Sequence, residues 1–576
     1  MEPTSEPTAS TAVKKDKNSS LGMYVAFGII GAVIIAIVAI ILINAAKNTT
    51  TASLDFNSAN WSYDADNNVY YQIGNYYVSK PVSETYETFG IYVPGDYLNC
   101  EQGSDDKYTC EVNQSSEVNG YTASTAPVVM PVNTPGYSAQ QAPTSYSYKT
   151  ISSYIENGLI YLHAGCRGRI SSGGPNKSSE TTSVDFETGA PWGVTDLKAA
   201  VRYLRYNQDK IPGDKDQIYA FGHSGGGAQS AILGASGDST LSDPYLEEIG
   251  AAMYYQGGTK ISDAIAGVNA WCPITELIIA DAAYEWNMGQ YANSNTRADG
   301  TWTSALSDDL AADFAEYINH ANFTDENGTK LTLTETTNGI YTSGTYYNYV
   351  KSVIEESLNN YLQDNYDTNT ERASYVASLG DWASFESGKA TITSIGDFVK
   401  SQKSATKSVP AFDDLNLSQA ENAVFADSNN NPQHFNSAVG SLIGRNDYGE
   451  YDDYDTSYLE AYKEQLVDAN VDRQGNTLNG RLFMYTPTFY LTDQYAMQDD
   501  PNFNAATPAK HWRIRTGITQ GDTALTTEIN LNLALKANEV VEDVDFATVW
   551  GKGHTEAERT GSATTNFIDW VELCTK

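Results

Sequence analysis

Apolar and polar residues recur with two different periods along this chain, and the change of period divides it. Residues 69–79 (VYYQIGNYYVS) and 86–93 (YETFGIYV) are rich in aromatic and β-branched side chains and predict an antiparallel strand pair. Short apolar runs follow at 127–132 (PVVMPV), 158–164 (GLIYLHA), 218–221 (IYAF) and 265–271 (IAGVNAW). Between them, residues 194–207 (VTDLKAAVRYLRYN) switch to the helical period, with Val194, Leu197, Val201 and Leu204 on one face. Strands first, then strand–helix–strand repeats, predict an α/β fold: a mostly parallel twisted sheet, helices on both faces and an antiparallel start. Residues 275–479 break this rhythm with helix-like runs at 310–320, 349–361 and 456–469 among polar loops. They predict a large, mainly helical insertion lying as a lid over the sheet edge where ligands bind. The pattern resumes in 480–576, with strands at 511–515 (HWRIR) and 544–549 (VDFATV) and helices at 525–537 and 566–573. The sheet-forming core is thus expected in two parts, 61–274 and 480–576.

The amino-terminal region follows neither period. Residues 21–46 (LGMYVAFGIIGAVIIAIVAIILINAA) carry no charge and are long enough to cross a bilayer as a helix. The apolar run exceeds the core of a cleaved signal peptide, so an uncleaved anchor is expected. Lys14, Lys15 and Lys17 precede it and only Lys47 follows closely. The positive-inside rule then makes 1–20 a cytoplasmic tail and puts the bulk of the chain outside the cell. Residues 47–60, rich in Thr, Ser and Asn, read as a linker.

Charge and cysteine content narrow the function. A formal net charge of −37 over 576 residues argues against nucleic-acid binding, which needs a basic surface. The 40 tyrosines outnumber the 35 lysines and arginines, a composition that suits an extracellular protein. Of the five cysteines, Cys100 and Cys110 bracket a polar loop and are expected to pair in an oxidising compartment. Bridging is possible for Cys166 and Cys272, and Cys574 is left over. No Cys-x-x-Cys or histidine cluster points to a metal, and no cofactor is expected.

The chemistry centres on Gly222-His223-Ser224-Gly225-Gly226, which follows the strand 218–221 and opens a helix. Strand, Gly-x-Ser-x-Gly and helix in that order form a nucleophile elbow, a turn so tight that its neighbours must be small. Ser224 would be the nucleophile. Gly225 N–H, at a helix N-terminus, would stabilise an oxyanion, joined by Gly136 or Tyr137 N–H from the loop after PVVMPV. Such a site takes its acid after a late strand and its histidine after the last. His554, in Trp550-Gly551-Lys552-Gly553-His554, is placed to be the general base, and Asp522, after HWRIR, to be the orienting carboxylate. Glu528 is a weaker substitute for that acid.

The chain resembles the bacterial tannases, serine esterases of the α/β-hydrolase fold. The resemblance runs from about residue 60 to the C-terminus. It is carried by residues 133–137, DLKAAVRYLRYN (196–207), the elbow, PAFDDLNLSQAENAVF (410–425), RIRTGITQGDT (513–523) and 544–554. It implies hydrolysis of galloyl or similar phenolic esters, with a lid lysine and a lid glutamate fourteen residues apart holding the phenolic hydroxyls. Lys407 and Glu421 stand at that spacing. There is a departure: the family has Asp-x-Asp where this chain has Gln520-Gly521-Asp522. Either Asp522 takes over as the acid or the acid lies elsewhere, and the phenol contact is weakened or lost in both cases. The expected function is a membrane-anchored extracellular carboxylic-ester hydrolase acting on a small-molecule ester. The alternatives are a serine peptidase on the same fold and a non-catalytic surface protein that binds a ligand.

Overall fold

A computed structural model describes residues 51–576 apart from 105, 170–183, 185, 338, 446–447, 468–469 and 494–505. The expected membrane anchor (21–46) lies outside the described residues. Among those described, no helix is long and apolar enough to cross a membrane.

Nine strands build the main sheet: β1 (Ser62–Asp64), β2 (Val69–Tyr76), β3 (Thr88–Pro94), β4 (Val128–Val132), β5 (Ile160–Ala164), β6 (Ile218–His223), β7 (Gly267–Trp271), β8 (His511–Gly517) and β9 (Asp543–Val549). Their spatial order is β1-β2-β3-β5-β4-β6-β7-β8-β9. The first three strands and the β3–β5 pair are antiparallel. From β5 onward every neighbouring pair is parallel. This is the α/β-hydrolase arrangement. The central strands β4 and β7 are buried at every position, as expected where helices cover both faces of a parallel sheet.

The helix Trp192–Tyr206 is buried along nearly its whole length, polar face included. Its charged residues are therefore paired. Asp196 takes the Arg167 guanidinium and backbone N–H, while Lys198 and Arg202 converge on Asp263, 2.7 Å from Lys198 Nζ and 2.5 Å from Arg202 Nη2. Buried charge of this kind is tolerated only when paired and hydrogen-bonded.

The insertion is mainly helical. Its long members, Trp302–Ala321 and Thr345–Asn365, are amphipathic and turn Leu306, Leu310, Phe314, Ile318, Val350, Ile354 and Leu358 inward. Their apolar faces join the core of the sheet region in one continuous cluster, so residues 52–576 form a single compact unit. Helices Leu478–Met484 and Pro487–Leu491 carry the helical region past the expected limit at 479.

The stretch before β1 also differs from expectation. Residues 52–60 are not a free linker over their length. Phe56 is buried against Trp61, its N–H donates to Asn207 Oδ1 at 2.8 Å, and Ala52 N–H donates to Ser79 O at 3.0 Å. Polar composition concealed one aromatic anchor. Cys100 and Cys110 oppose each other in the hairpin Leu98–Gln102/Tyr108–Val112 and form a disulfide; Cys166, Cys272 and Cys574 are free thiols.

Candidate active site

The elbow owes its shape to absent side chains. A Cβ on Gly222 would sit 2.4 Å from Val132 O, and one on Gly226 2.0 Å from the same oxygen. Only glycine lets the start of helix Gly225–Ala235 press this closely on β4. Ser224 itself has φ 60° and ψ −124°, a strained conformation for a residue with a side chain. Ser224 N–H donates to Trp271 O (3.0 Å) and Ile274 N–H to Ser224 O (3.3 Å), so the end of β7 holds the turn in place.

Ser224 Oγ lies 2.8 Å from His554 Nε2. His554 sits in the loop after β9, where Ile518 N–H donates to Val549 O and Thr519 N–H to Lys552 O, tying that loop to the one after β8. Burial lowers the pKa of His554; Asp522 raises it in opposition and Lys407 lowers it further. The imidazole is thereby kept neutral, as a general base requires.

His554 Nδ1 faces Gln520 Oε1 at 2.7 Å. Asp522, expected there, has its Oδ2 4.0 Å from Nδ1, beyond hydrogen-bond reach, and is 53% exposed. The reason is the turn after β8. Gln520 N–H folds back to Gly517 O (3.1 Å), which points the Gln520 side chain inward and leaves it 2% exposed; two residues on, the chain has emerged at the cavity rim. Gln520 Nε2 donates to Thr516 Oγ1 (2.6 Å) and to Glu528 Oε1 (2.7 Å).

The two expected second oxyanion donors separate. Tyr137 N–H closes its own turn onto Thr134 O at 2.9 Å, and the Tyr137 hydroxyl donates to Ile274 O, so Tyr137 is spent on structure. Gly136, at φ 55°, lines the cavity beside Ser224. Its nitrogen lies 3.1 Å from where a Cβ on Gly225 would stand and that of Tyr137 2.5 Å from the same point, so the 134–137 turn packs directly on the start of the helix. Gly225 heads its helix, so its N–H has no acceptor within it.

Ser224 and His554 open into a cavity of about 660 Å³ lined also by Arg169, His223, Lys407, Glu421 and Asp522. Lys407 and Glu421 thus share one cavity with Ser224. Lys407 Nζ rests 3.8 Å from the Phe412 ring centroid. Glu421 is 4% exposed, and its Oε2 finds no hydrogen-bond partner among the described residues. A buried carboxylate oxygen without a donor is costly unless a ligand supplies one.

Four residues here were not assigned this way from sequence. Gln520 was read as a loss and instead holds Nδ1. Glu528 stands behind Gln520 rather than at the histidine. Arg169 donates Nε–H to Gly136 O and steadies the loop after β4; its only sequence signal is a cation in the loop after β5. His223 tilts against His554, ring centroids 4.6 Å apart. Burial, with His554 adding to it and Asp522 opposing, pushes the His223 pKa down to about 4, so it packs there uncharged.

His223, Cys272 and His554 bring potential metal-ligand atoms within 4.8 Å of one another. Both His554 nitrogens are already engaged by Ser224 and Gln520, and Cys272 Sγ accepts Gly517 N–H at 3.3 Å. The arrangement is committed to the serine and histidine.

Fold and site together define an α/β-hydrolase. The BD-FAE family model matches residues 181–338, which include the elbow. No protein with a curated description matches. Among solved structures, the tannin acyl hydrolase from Lactobacillus plantarum is 25% identical with TM-score 0.65, over 91% of this chain and 99% of that one. The Fusobacterium nucleatum tannase is 24% identical with TM-score 0.68, over 91% and 100%. A tannin acyl hydrolase in complex with 3,4-dihydroxybenzoate is 26% identical with TM-score 0.66, over 90% and 99%; another was solved in complex with ethyl gallate. This chain is tannase-like in architecture, which supports carboxylic-ester hydrolysis.

Proposed function

We propose that this protein is a serine carboxylesterase that cleaves phenolic esters of the galloyl or dihydroxybenzoyl type. The observation that carries the reading is the 2.8 Å contact between Ser224 Oγ and His554 Nε2 in the wall of an open cavity. Ser224 Oγ attacks the ester carbonyl while its proton passes to His554 Nε2. The carbonyl oxygen takes up the charge and is stabilised by Gly225 and Gly136 N–H. Nε2–H then protonates the departing alkoxide, leaving an acyl-enzyme that water hydrolyses by the same route in reverse. Gln520 accepts from Nδ1–H throughout and holds the ring in the tautomer that frees Nε2.

The phenolic acyl group is favoured by Glu421 and Lys407. A buried carboxylate oxygen lacking a donor matches a ring hydroxyl, and the ammonium matches a hydroxyl oxygen. Ethyl gallate and 3,4-dihydroxybenzoate, the ligands of the similar tannin acyl hydrolase structures, carry ring hydroxyls of this kind. Residues 21–46 would anchor the enzyme with its catalytic part outside the cell, a location in keeping with the Cys100–Cys110 disulfide.

The test is hydrolysis of methyl gallate and simple aryl esters by the full-length protein, with a fluorophosphonate probe on Ser224. Turnover and labelling are expected, both lost in Ser224→Ala. Ester turnover that survives in Ser224→Ala would end the proposal. Membrane fractionation with external protease addresses the location.

A further inference from the structure

A primary amide is an ambiguous support for a catalytic histidine. Its oxygen accepts the Nδ1–H bond, while its NH2 group, turned the other way, would confront that proton and leave the imidazole without an acceptor. Whether Gln520 helps His554 therefore depends on what holds its amide in one sense. We infer that Glu528 is the positioning residue that does so, and that the functional array is Ser224–His554–Gln520–Glu528. The inference rests on the serine-esterase reading above.

The hydrogen bonds admit one consistent direction. Thr516 Oγ1 donates its only proton to Glu528 Oε1 at 2.6 Å. Its lone pairs then face Gln520 Nε2, which donates to Thr516 Oγ1 at 2.6 Å and to Glu528 Oε1 at 2.7 Å. The Gln520 amide spends both protons on this side, so Oε1 is the end presented to His554 Nδ1. Reversing the amide would set Oε1 against Glu528 Oε1, and Thr516 could donate to it only by withdrawing its own proton from Glu528. Such an unpaired buried arrangement is strongly disfavoured.

Glu528 is placed for this and nothing else visible in the cavity. It lies on helix Leu525–Ala537, is 0% exposed and does not line the space around Ser224. Its second oxygen finds no partner among the described residues. Lys403 and Cys272 are the ionisable groups that face it. Burial pushes its pKa up to about 8, against Thr516, Lys403 and Gln520. Oε1 accepts whether Glu528 is ionised or carries its proton on the unpartnered Oε2, so the role holds on both sides of that value. No proton leaves Nδ1: the positive charge that forms on the ring during attack stays there, facing the amide oxygen.

The experiment is a mutant cycle in the full-length protein. Glu528→Met keeps the volume and removes the acceptor. It is expected to lower kcat about ten- to a hundredfold with KM nearly unchanged. Glu528→Gln, which retains an oxygen, is expected to lose clearly less. In a Gln520→Glu background a carboxylate of the same length presents an oxygen to Nδ1–H in either sense, and Glu528→Met is then expected to cost under about threefold. Equal losses in both backgrounds, or an unchanged kcat in Glu528→Met, would overturn the inference. If the wild-type protein hydrolyses no ester, the esterase reading fails by itself. The array is then read from the low-field proton resonance of His554 Nδ1–H, expected in wild type and lost in Glu528→Met. Its persistence in Glu528→Met would also overturn the inference.

Discussion

His554 turns Nδ1 to an uncharged amide oxygen, Gln520 Oε1 at 2.7 Å, although the carboxylate of Asp522 is close by. The imidazole is thus oriented by a hydrogen bond and stabilised in its charged form only at a distance. The two contributions, joined in one residue in a Ser-His-Asp site, are here separable by mutation.

Gln520→Leu is expected to lower kcat about 10²- to 10³-fold, because Nδ1–H loses its buried acceptor. Asp522→Asn should cost less than about tenfold, since a half-exposed charge is screened by solvent. Steady-state kinetics of the two variants decide the order. A larger loss in Asp522→Asn would restore the carboxylate as the working partner.

The acidic limb of the kcat/KM profile reports the free His554. Burial, against Asp522 and with Lys407, holds its pKa below the usual 6.5, and the base form persists to correspondingly lower pH. Removing Asp522 removes a group that raises the pKa, so Asp522→Asn should move the limb further down. Lys407→Gln removes a group that lowers it and should move the limb up. Opposite shifts would show that these charges do not act on the histidine.

Glu421→Gln should weaken kcat/KM for galloyl esters about ten- to a hundredfold, the worth of a hydrogen bond to a charged group, while aryl acetates change little. Equal losses on both substrates would place Glu421 in the lid's packing instead of in acyl recognition.

Asp263 supplies a stability test remote from the site. Burial works against its charge, yet Lys198 and Arg202 prevail and hold its pKa at about 2, below the ordinary 3.8. Because the folded value is depressed, its contribution is complete above pH 3.8 and is lost as pH falls through about 2. Asp263→Asn strands two buried cations and is expected to cost about 3–5 kcal/mol at neutral pH. Denaturant unfolding measures the loss.

Much of the fold was legible because β4, β5 and β6 are short apolar runs ending in glycine or a polar turn. That Ser224 and His554 would meet was legible for the same reason: the fold delivers them at strand ends, where sequence order fixes position. Gln520 and Asp522 were not. They are two residues apart in one loop, and the backbone hydrogen bond from Gln520 to Gly517 decides which points inward. Residue type favoured the aspartate, whereas turn geometry selected the glutamine. Tyr137 was misread similarly, since only the closed turn reveals that its N–H is already spent on Thr134. Lid residues 407 and 421 could be paired by spacing from the resemblance, but Arg169 had no neighbour in sequence to mark it.

One wall of the cavity is stitched to the loop that carries Gln520. Lys403 Nζ donates to Ile518 O, Tyr284 OH donates to Gly521 O, and Thr406 and Lys407 N–H both donate to Tyr284 OH. Segment 403–407 and segment 518–521 are therefore one module, although more than a hundred positions separate them in the chain. Anyone grafting a lid from a related hydrolase to change substrate preference has to move both segments and Tyr284 together. A graft of the lid alone would alter the histidine's support along with the pocket.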